Sequence, residues 1–148
     1  MNLRLSKPNP GASREEIQNL EEAIGLSLPP GYVEFLATHD GGLLADEENV
    51  LVPADENCPL KEIPLNSFFG SKRHTEQERS IVEILEECAD LLPMTAIPIA
   101  LGEFGEFLIL DCESGMVELF VLRPTAVGTW GDYPTGLTID QLARGVRI

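Results

Sequence analysis

A chain of 148 residues that is 43% hydrophobic has the size and make-up of one domain around one core, so residues 1–148 are read as a single unit. No apolar run reaches the roughly 18 residues of a membrane span, and the start MNLRLSKPNP has no apolar h-region, so a cytoplasmic location is expected. The net charge of −15 disfavours nucleic acid, because phosphate contacts require clustered Lys and Arg.

Residues 1–12, with Pro8, Pro10 and Gly11, read as an extended N-terminal arm. Ser13 followed three residues later by Glu16 forms a capping box, and Ile17, Leu20 and Ile24 continue at helical spacing until Gly25. The spacing predicts a first helix over about 13–24. A second follows in Leu28–Gly42, LPPGYVEFLATHDGG, where Pro30 suits the first turn and Tyr32, Phe35 and Leu36 share one face. The two rings read as core anchors, and Gly41-Gly42 as a left-handed helix stop. Gly31 inside this helix lowers its intrinsic stability, so the segment leans on tertiary packing.

Beyond Gly42, Leu43-Leu44 and Val50-Leu51-Val52 read as short strands around an acidic loop, Asp46-Glu47-Glu48. A polar loop over 53–62 carries Asp55, Glu56 and Cys58, and Ile63 to Phe69 is a further strand. Thr75 with Glu78 matches a second capping box ahead of Ile81, Ile84, Leu85, Cys88, Leu91 and Leu92, predicting a long helix up to Pro93. Its acids Glu83, Glu86, Glu87 and Asp90 form one negative outer face. Ala96–Leu101, Phe107–Leu110 and Val117–Leu122 are apolar runs joined by short Gly- or Asp-containing turns, the pattern of a β-meander. The stretch through Trp130 and Pro134 is loop-like, and Thr138 with Gln141 opens a short final helix near Leu142. This order predicts an α+β domain whose helices pack on one face of a mostly antiparallel sheet.

Catalytic motifs are scarce. Cys58, Cys88 and Cys112 form no CxxC pair, so neither a disulfide framework nor a zinc site is expected, and Cys88 and Cys112 read as small buried or half-buried hydrophobes. His39 lies where it can meet a helix C-terminal dipole, and His74 sits in a polar stretch expected to be exposed. Gly102-Glu103-Phe104-Gly105-Glu106 lacks phosphate-loop spacing and reads as a hairpin turn. No cofactor, metal or catalytic residue is therefore assigned.

The organising stretch resembles the signature of the SUKH superfamily, the Smi-one/Knr-four-like domains, through Leu28, Pro29, Tyr32, Phe35, Leu36, Asp40, Gly41 and Gly42. Ile97-Pro98-Ile99-Ala100, Gly105, Leu110-Asp111, Gly115 and Val117 extend the likeness over about 13–122. Two features depart from it: Glu118-Leu119-Phe120-Val121 stands where the family often has a tryptophan-containing strand end, and the final helix is short. The resemblance implies an α+β domain without catalytic residues, used for protein binding. Many bacterial members resemble immunity proteins that neutralise toxins, often nucleases, whereas fungal relatives act in cell-wall regulation. The motif residues carry over as structural.

Charge suggests where a partner would meet the chain. Residues 40–118 hold 18 acids against Lys61, Lys72, Arg73 and Arg79. An acidic surface steers a basic partner toward it. The candidate contacts are Asp46, Glu47, Glu48, Asp55, Glu56, Glu83, Glu86, Glu87 and Asp90. The expected partner is a basic toxin domain met by a monomer or weak homodimer, and the alternative is a scaffold or regulator with endogenous partners.

Overall fold

The computed structural model describes residues 1–121 and 131–148, in which the elements run β1 (Asn2–Pro8), α1 (Arg14–Ile24), α2 (Pro30–Thr38), β2 (Gly42–Leu51), β3 (Ile63–Phe68) and α3 (Ile81–Cys88). A 3-10 turn (Ala89–Leu91), β4 (Ala96–Gly102), β5 (Phe107–Asp111), β6 (Met116–Val121), β7 (Gly131–Thr138), α4 (Ile139–Arg144) and β8 (Val146–Arg147) follow. The strands form one sheet in the order β7-β6-β5-β4-β3-β2-β1-β8, antiparallel throughout except for β1 beside β8. This is the expected α+β architecture, with the expected meander β4–β5–β6 lying between β3 and the edge strand β7.

Alternation in the strands and a 3.6-residue period in the helices place one continuous core between them. Phe35 on α2 meets Phe68 on β3 edge to face, with centroids 5.3 Å apart, and stacks on Tyr32 at 6.2 Å. Gly31 admits α4, since a Cβ there would collide with the Asp140 carboxylate. The helix therefore does lean on tertiary packing at that position.

Several local expectations change in the fold. The N-terminal arm is a strand within the sheet: Leu3 and Leu5 alternate inward and pair with β2, and the prolines fall only at its end. Helix α2 stops at Thr38 with an extended His39, whose N–H donates to the Phe35 carbonyl at 2.9 Å, so Gly41-Gly42 is no helix cap. Those glycines serve a close crossing instead. Gly41 has φ +80°, and a Cβ there would stand 2.6 Å from the Phe68 carbonyl. The loop-like reading of Pro134 is also overturned, because β7 pairs with β6 along Gly131–Thr138, and Trp130 lies outside the described residues.

The helix expected from Thr75 begins only at Ile81. Its true capping box is Ser80 with Glu83: the Glu83 amide donates to Ser80 Oγ at 3.3 Å and the Ser80 amide to Glu83 Oε1 at 3.2 Å. Glu78 is diverted to Asn9, whose side chain donates to it at 2.6 Å.

The connection over 53–62 reaches across the fold. The Ala54 and Asp55 amides both donate to the Thr135 carbonyl, at 2.7 and 3.0 Å, joining the end of β2 to β7. Since β7 is the sheet's far edge, the sheet must curl to bring them together. Cys58, expected in a polar loop, is buried beneath this connection's own turn. Cys88 is buried and Cys112 half-buried, as expected, and all three thiols are free.

On β5–β7, Asp111, Glu118 and Asp132 lie on adjacent strands. Burial and the neighbouring Asp132 carboxyl push Glu118 up to about 7. The unfolded chain releases this proton near 4.5, so stability falls as pH rises from 4.5 to 7 and the cost is fully present above 7. Glu118→Gln is expected to raise stability by about 1–3 kcal/mol at pH 8 and to change little near pH 4, as measured by urea unfolding at both pH values.

Candidate partner-binding surface

The acidic stretch of β2 is part of a strand, but an unusual one. Leu44 pairs with Leu5 and Asn49 with Leu3, so four residues of β2 stand opposite Arg4 alone. On the other side Leu43 pairs with Ser67 and Val50 with Pro64. The surplus length must arch out of both ladders as an extended bulge. It carries Asp46 and Glu47 into solvent and turns Glu48 back onto Arg4 and Arg147, at 2.7 and 2.6 Å. Those two cations, the Arg147 hydrogen bond first, hold the Glu48 carboxyl below its ordinary range.

The helical acids divide in the same way. Glu83 is gripped by Arg73, with Nε 2.7 Å from Oε1, which lowers its carboxyl to about 2. Glu87 pairs with Arg79. Glu86 and Asp90 remain exposed without an ion-pair partner among the described residues. Asp55 is spent locally, accepting from the Asn57 amide at 2.8 Å, and Glu56 is exposed. The nine candidates therefore form separate patches on β2, on α3 with the 3-10 turn after it, and on the 53–62 connection. The open charges are Asp46, Glu47, Glu56, Glu86 and Asp90.

The motif residue Asp40 has a role that sequence reasoning passed over. It is fully buried and accepts from the Ser71 amide at 2.7 Å, Ser71 Oγ at 2.8 Å and His74 Nε2 at 2.8 Å. His74 is thus not exposed as expected, its side chain keeping only 15% of its accessibility. Aspartate, histidine and serine together suggest a hydrolytic triad, but the connectivity is wrong for one. The serine hydroxyl donates to the carboxylate, not to the imidazole, so no base is placed to take its proton. The arrangement is a clamp that pins 71–74 to the end of α2, and it explains why the helix cannot start at Thr75. Nothing short of the 34-residue separation between Asp40 and His74 closing in space would have revealed it.

Leu28, Tyr32, Phe35 and Leu36 are all buried, and Gly41 and Gly42 make the crossing described above, in keeping with a structural role. A separate cavity of about 470 Å³ is lined by Leu43, Leu101 and Phe107 from the sheet and by Thr75, Gln77 and Arg79 from the segment before α3. No described helix is long and apolar enough to cross a membrane.

Comparison with known proteins agrees with this fold. Among curated proteins, the chain is 25% identical over 117 residues to the SPbeta prophage-derived uncharacterized protein YokK of Bacillus subtilis (strain 168). That alignment spans 71% of this chain but only 59% of the relative, so the chain covers under two thirds of the relative's length. The model of the SMI1/KNR4 family (SUKH-1) matches residues 11–133, a span from the turn before α1 to the middle of β7, and the chain belongs to that family.

Proposed function

We propose that this chain is a non-catalytic, cytoplasmic immunity protein that neutralises a cognate bacterial toxin by binding it directly. The observation that carries the reading is the set of carboxylates left open on a family member's surface, Asp46 and Glu47 on the β2 bulge above all. A bulge that leaves both ladders presents charge without giving up core packing. A toxin that handles nucleic acid is basic, and these carboxylates would accelerate its approach and occupy its phosphate-binding groove. Asp40, Ser71 and His74 serve the fold in this view, since the buried carboxylate ties the other two to the end of α2.

The decisive assay is survival of cells that co-express this protein with the toxin encoded by a neighbouring reading frame. Protection is expected, and death at the rate seen without the protein would refute the pairing. With purified components, Asp46→Lys combined with Glu47→Lys is expected to slow association about tenfold at low salt while changing dissociation little. An unchanged association rate would remove the bulge from the interface. A regulator of endogenous partners would instead bring down several host proteins in place of one basic partner at near-equal yield.

A further inference from the structure

We infer that Glu106 and Glu103, with Asn49, form a socket for one guanidinium group of the protein partner, an inference that rests on the protein-binding reading above. The socket is built on the β4–β5 hairpin. The Gly102 amide donates to the Glu106 carbonyl at 2.7 Å and closes the turn, leaving Glu103, Phe104 and Gly105 as an exposed tip. Glu106 itself turns inward and keeps only 3% of its accessibility. Its side chain reaches across to Gly102, where a Cβ would collide with the carboxylate, so glycine gives it room. Beyond Gly102 lie β3 and then β2. From β2, Asn49 Nδ2 donates to Glu103 Oε1 at 2.6 Å, and the Glu103 amide donates to the Pro64 carbonyl of β3 at 2.9 Å. These two bonds seat Glu103 close enough for its charge to act on Glu106.

The fold makes no use of the Glu106 carboxylate. Both oxygens are buried, and neither has a hydrogen-bond partner among the described residues. No ion pair among those residues involves Glu103 or Glu106 either. A carboxylate shut away from water without a partner destabilises a fold, and a glutamine would fill the same space at less cost. Burial, ahead of the Glu103 charge, pushes the Glu106 carboxyl above its ordinary range, and the nearby Glu106 and Phe104 amides offset this only in part. A buried ionisable group kept against the interest of the fold marks a functional position.

The unused acceptors define the ligand. Glu106 offers two oxygens, and Glu103 a second one beside the oxygen that Asn49 takes. A guanidinium presents its N–H donors as a planar fork, pairing bidentately with one carboxylate while reaching another. An ammonium lacks that paired geometry, and Ca²⁺ takes about six to eight oxygens, more than these three side chains supply. Phe104, 57% exposed beside Glu103, adds an aromatic face that favours an arginine further. Asp46 and Glu47 precede Asn49 on the bulge and steer a basic chain toward it. Because the Glu106 oxygens are enclosed in the free chain, the exposed tip gives way as the cation enters.

The test titrates N-acetylarginine amide, N-acetyllysine amide and calcium chloride in turn into isotope-labelled full-length protein at low salt, observed by NMR. Saturable shifts are expected with the arginine compound alone, concentrated at Asn49, Glu103, Phe104 and the Glu106 carboxyl. Glu106→Gln should abolish them, and Glu103→Gln, at an exposed position where the Asn49 bond can persist, should weaken binding about fivefold. A purely structural role is separated by a second readout. Glu106→Gln should raise the urea midpoint yet bind the purified toxin about tenfold more weakly. No saturation, equal binding of the lysine compound, calcium shifts at the same residues, or a fall in that midpoint would overturn the socket. The survival assay keeps the two claims apart. A Glu106→Gln variant that protects cells as well as the parent refutes the socket and leaves the immunity reading intact. A parent that takes the arginine compound at Glu106 yet gives no protection refutes the immunity reading and leaves the socket.

Discussion

Replacing Asp40 with alanine is expected to lower the unfolding free energy by about 3–5 kcal/mol, read as a fall in the urea midpoint. The carboxylate has no exposure to water, and three donors from residues 71–74 converge on it. Its removal leaves the Ser71 amide, the Ser71 hydroxyl and the His74 ring without their acceptor in a closed environment. Desolvated donors without partners dominate that cost, because the direct gain from each neutral hydrogen bond is far smaller. Asp40→Asn keeps the volume but turns an NH₂ group toward one or more of those donors, so it should also destabilise. A midpoint unchanged in both variants would mean that 71–74 is held by something other than Asp40.

The second large effect lies at Tyr32. This side chain is 1% exposed and stacks on Phe35, so Tyr32→Ala is expected to cost about 3–5 kcal/mol through the cavity it leaves, and Phe35→Ala a similar amount. Tyr32→Phe should behave in the opposite way. The phenol oxygen is buried without a hydrogen-bond partner among the described residues, and burial pushes its ionisation well above the ordinary range. The ring stabilises the core while the hydroxyl forfeits hydration, so Tyr32→Phe should be neutral or stabilising by about 1 kcal/mol in urea unfolding. A loss of more than 2 kcal/mol in Tyr32→Phe would show that the hydroxyl is bonded in solution. Tyr32→Ala that stays fully stable yet fails to protect against toxin would make the ring a contact residue instead of a core anchor.

The contrast between Asp40 and Tyr32 shows which kinds of information a sequence holds. Tyr32 and Phe35 announce burial through their helical spacing, which depends only on residues within one or two turns. Asp40 looks like a turn residue beside two glycines, and its acceptors' partners lie more than 30 residues away. Capping boxes give the same lesson. Ser13 with Glu16 and Thr138 with Gln141 cap as their spacing promised. Thr75 with Glu78 has the same pattern and fails, because Asn9 takes the glutamate and Asp40 holds the preceding chain. Ser80 with Glu83 wins that competition five residues on, and only the assembled fold arbitrates between two locally equivalent starts.

The candidate surface divides similarly. Charge counting identified the acids, but not that Glu48, Glu83 and Glu87 are neutralised within the chain while Asp46, Glu47, Glu86 and Asp90 are left open. The cavity had no signal at all, since Leu43, Leu101 and Phe107 become neighbours only through strand register. By itself, then, the sequence determined the α+β class, the first two helices, the β4–β6 meander, the family likeness and the sign of the surface. Each of these rests on periodicity, capping or composition, which act over a few residues or over none. The tertiary structure alone decided the strand that replaces the N-terminal arm, the late start of α3, the arching of β2 and the row of Leu43, Leu101 and Phe107 that lines the cavity. Those depend on which ladder each residue joins, and pairing energy is settled between segments tens of residues apart.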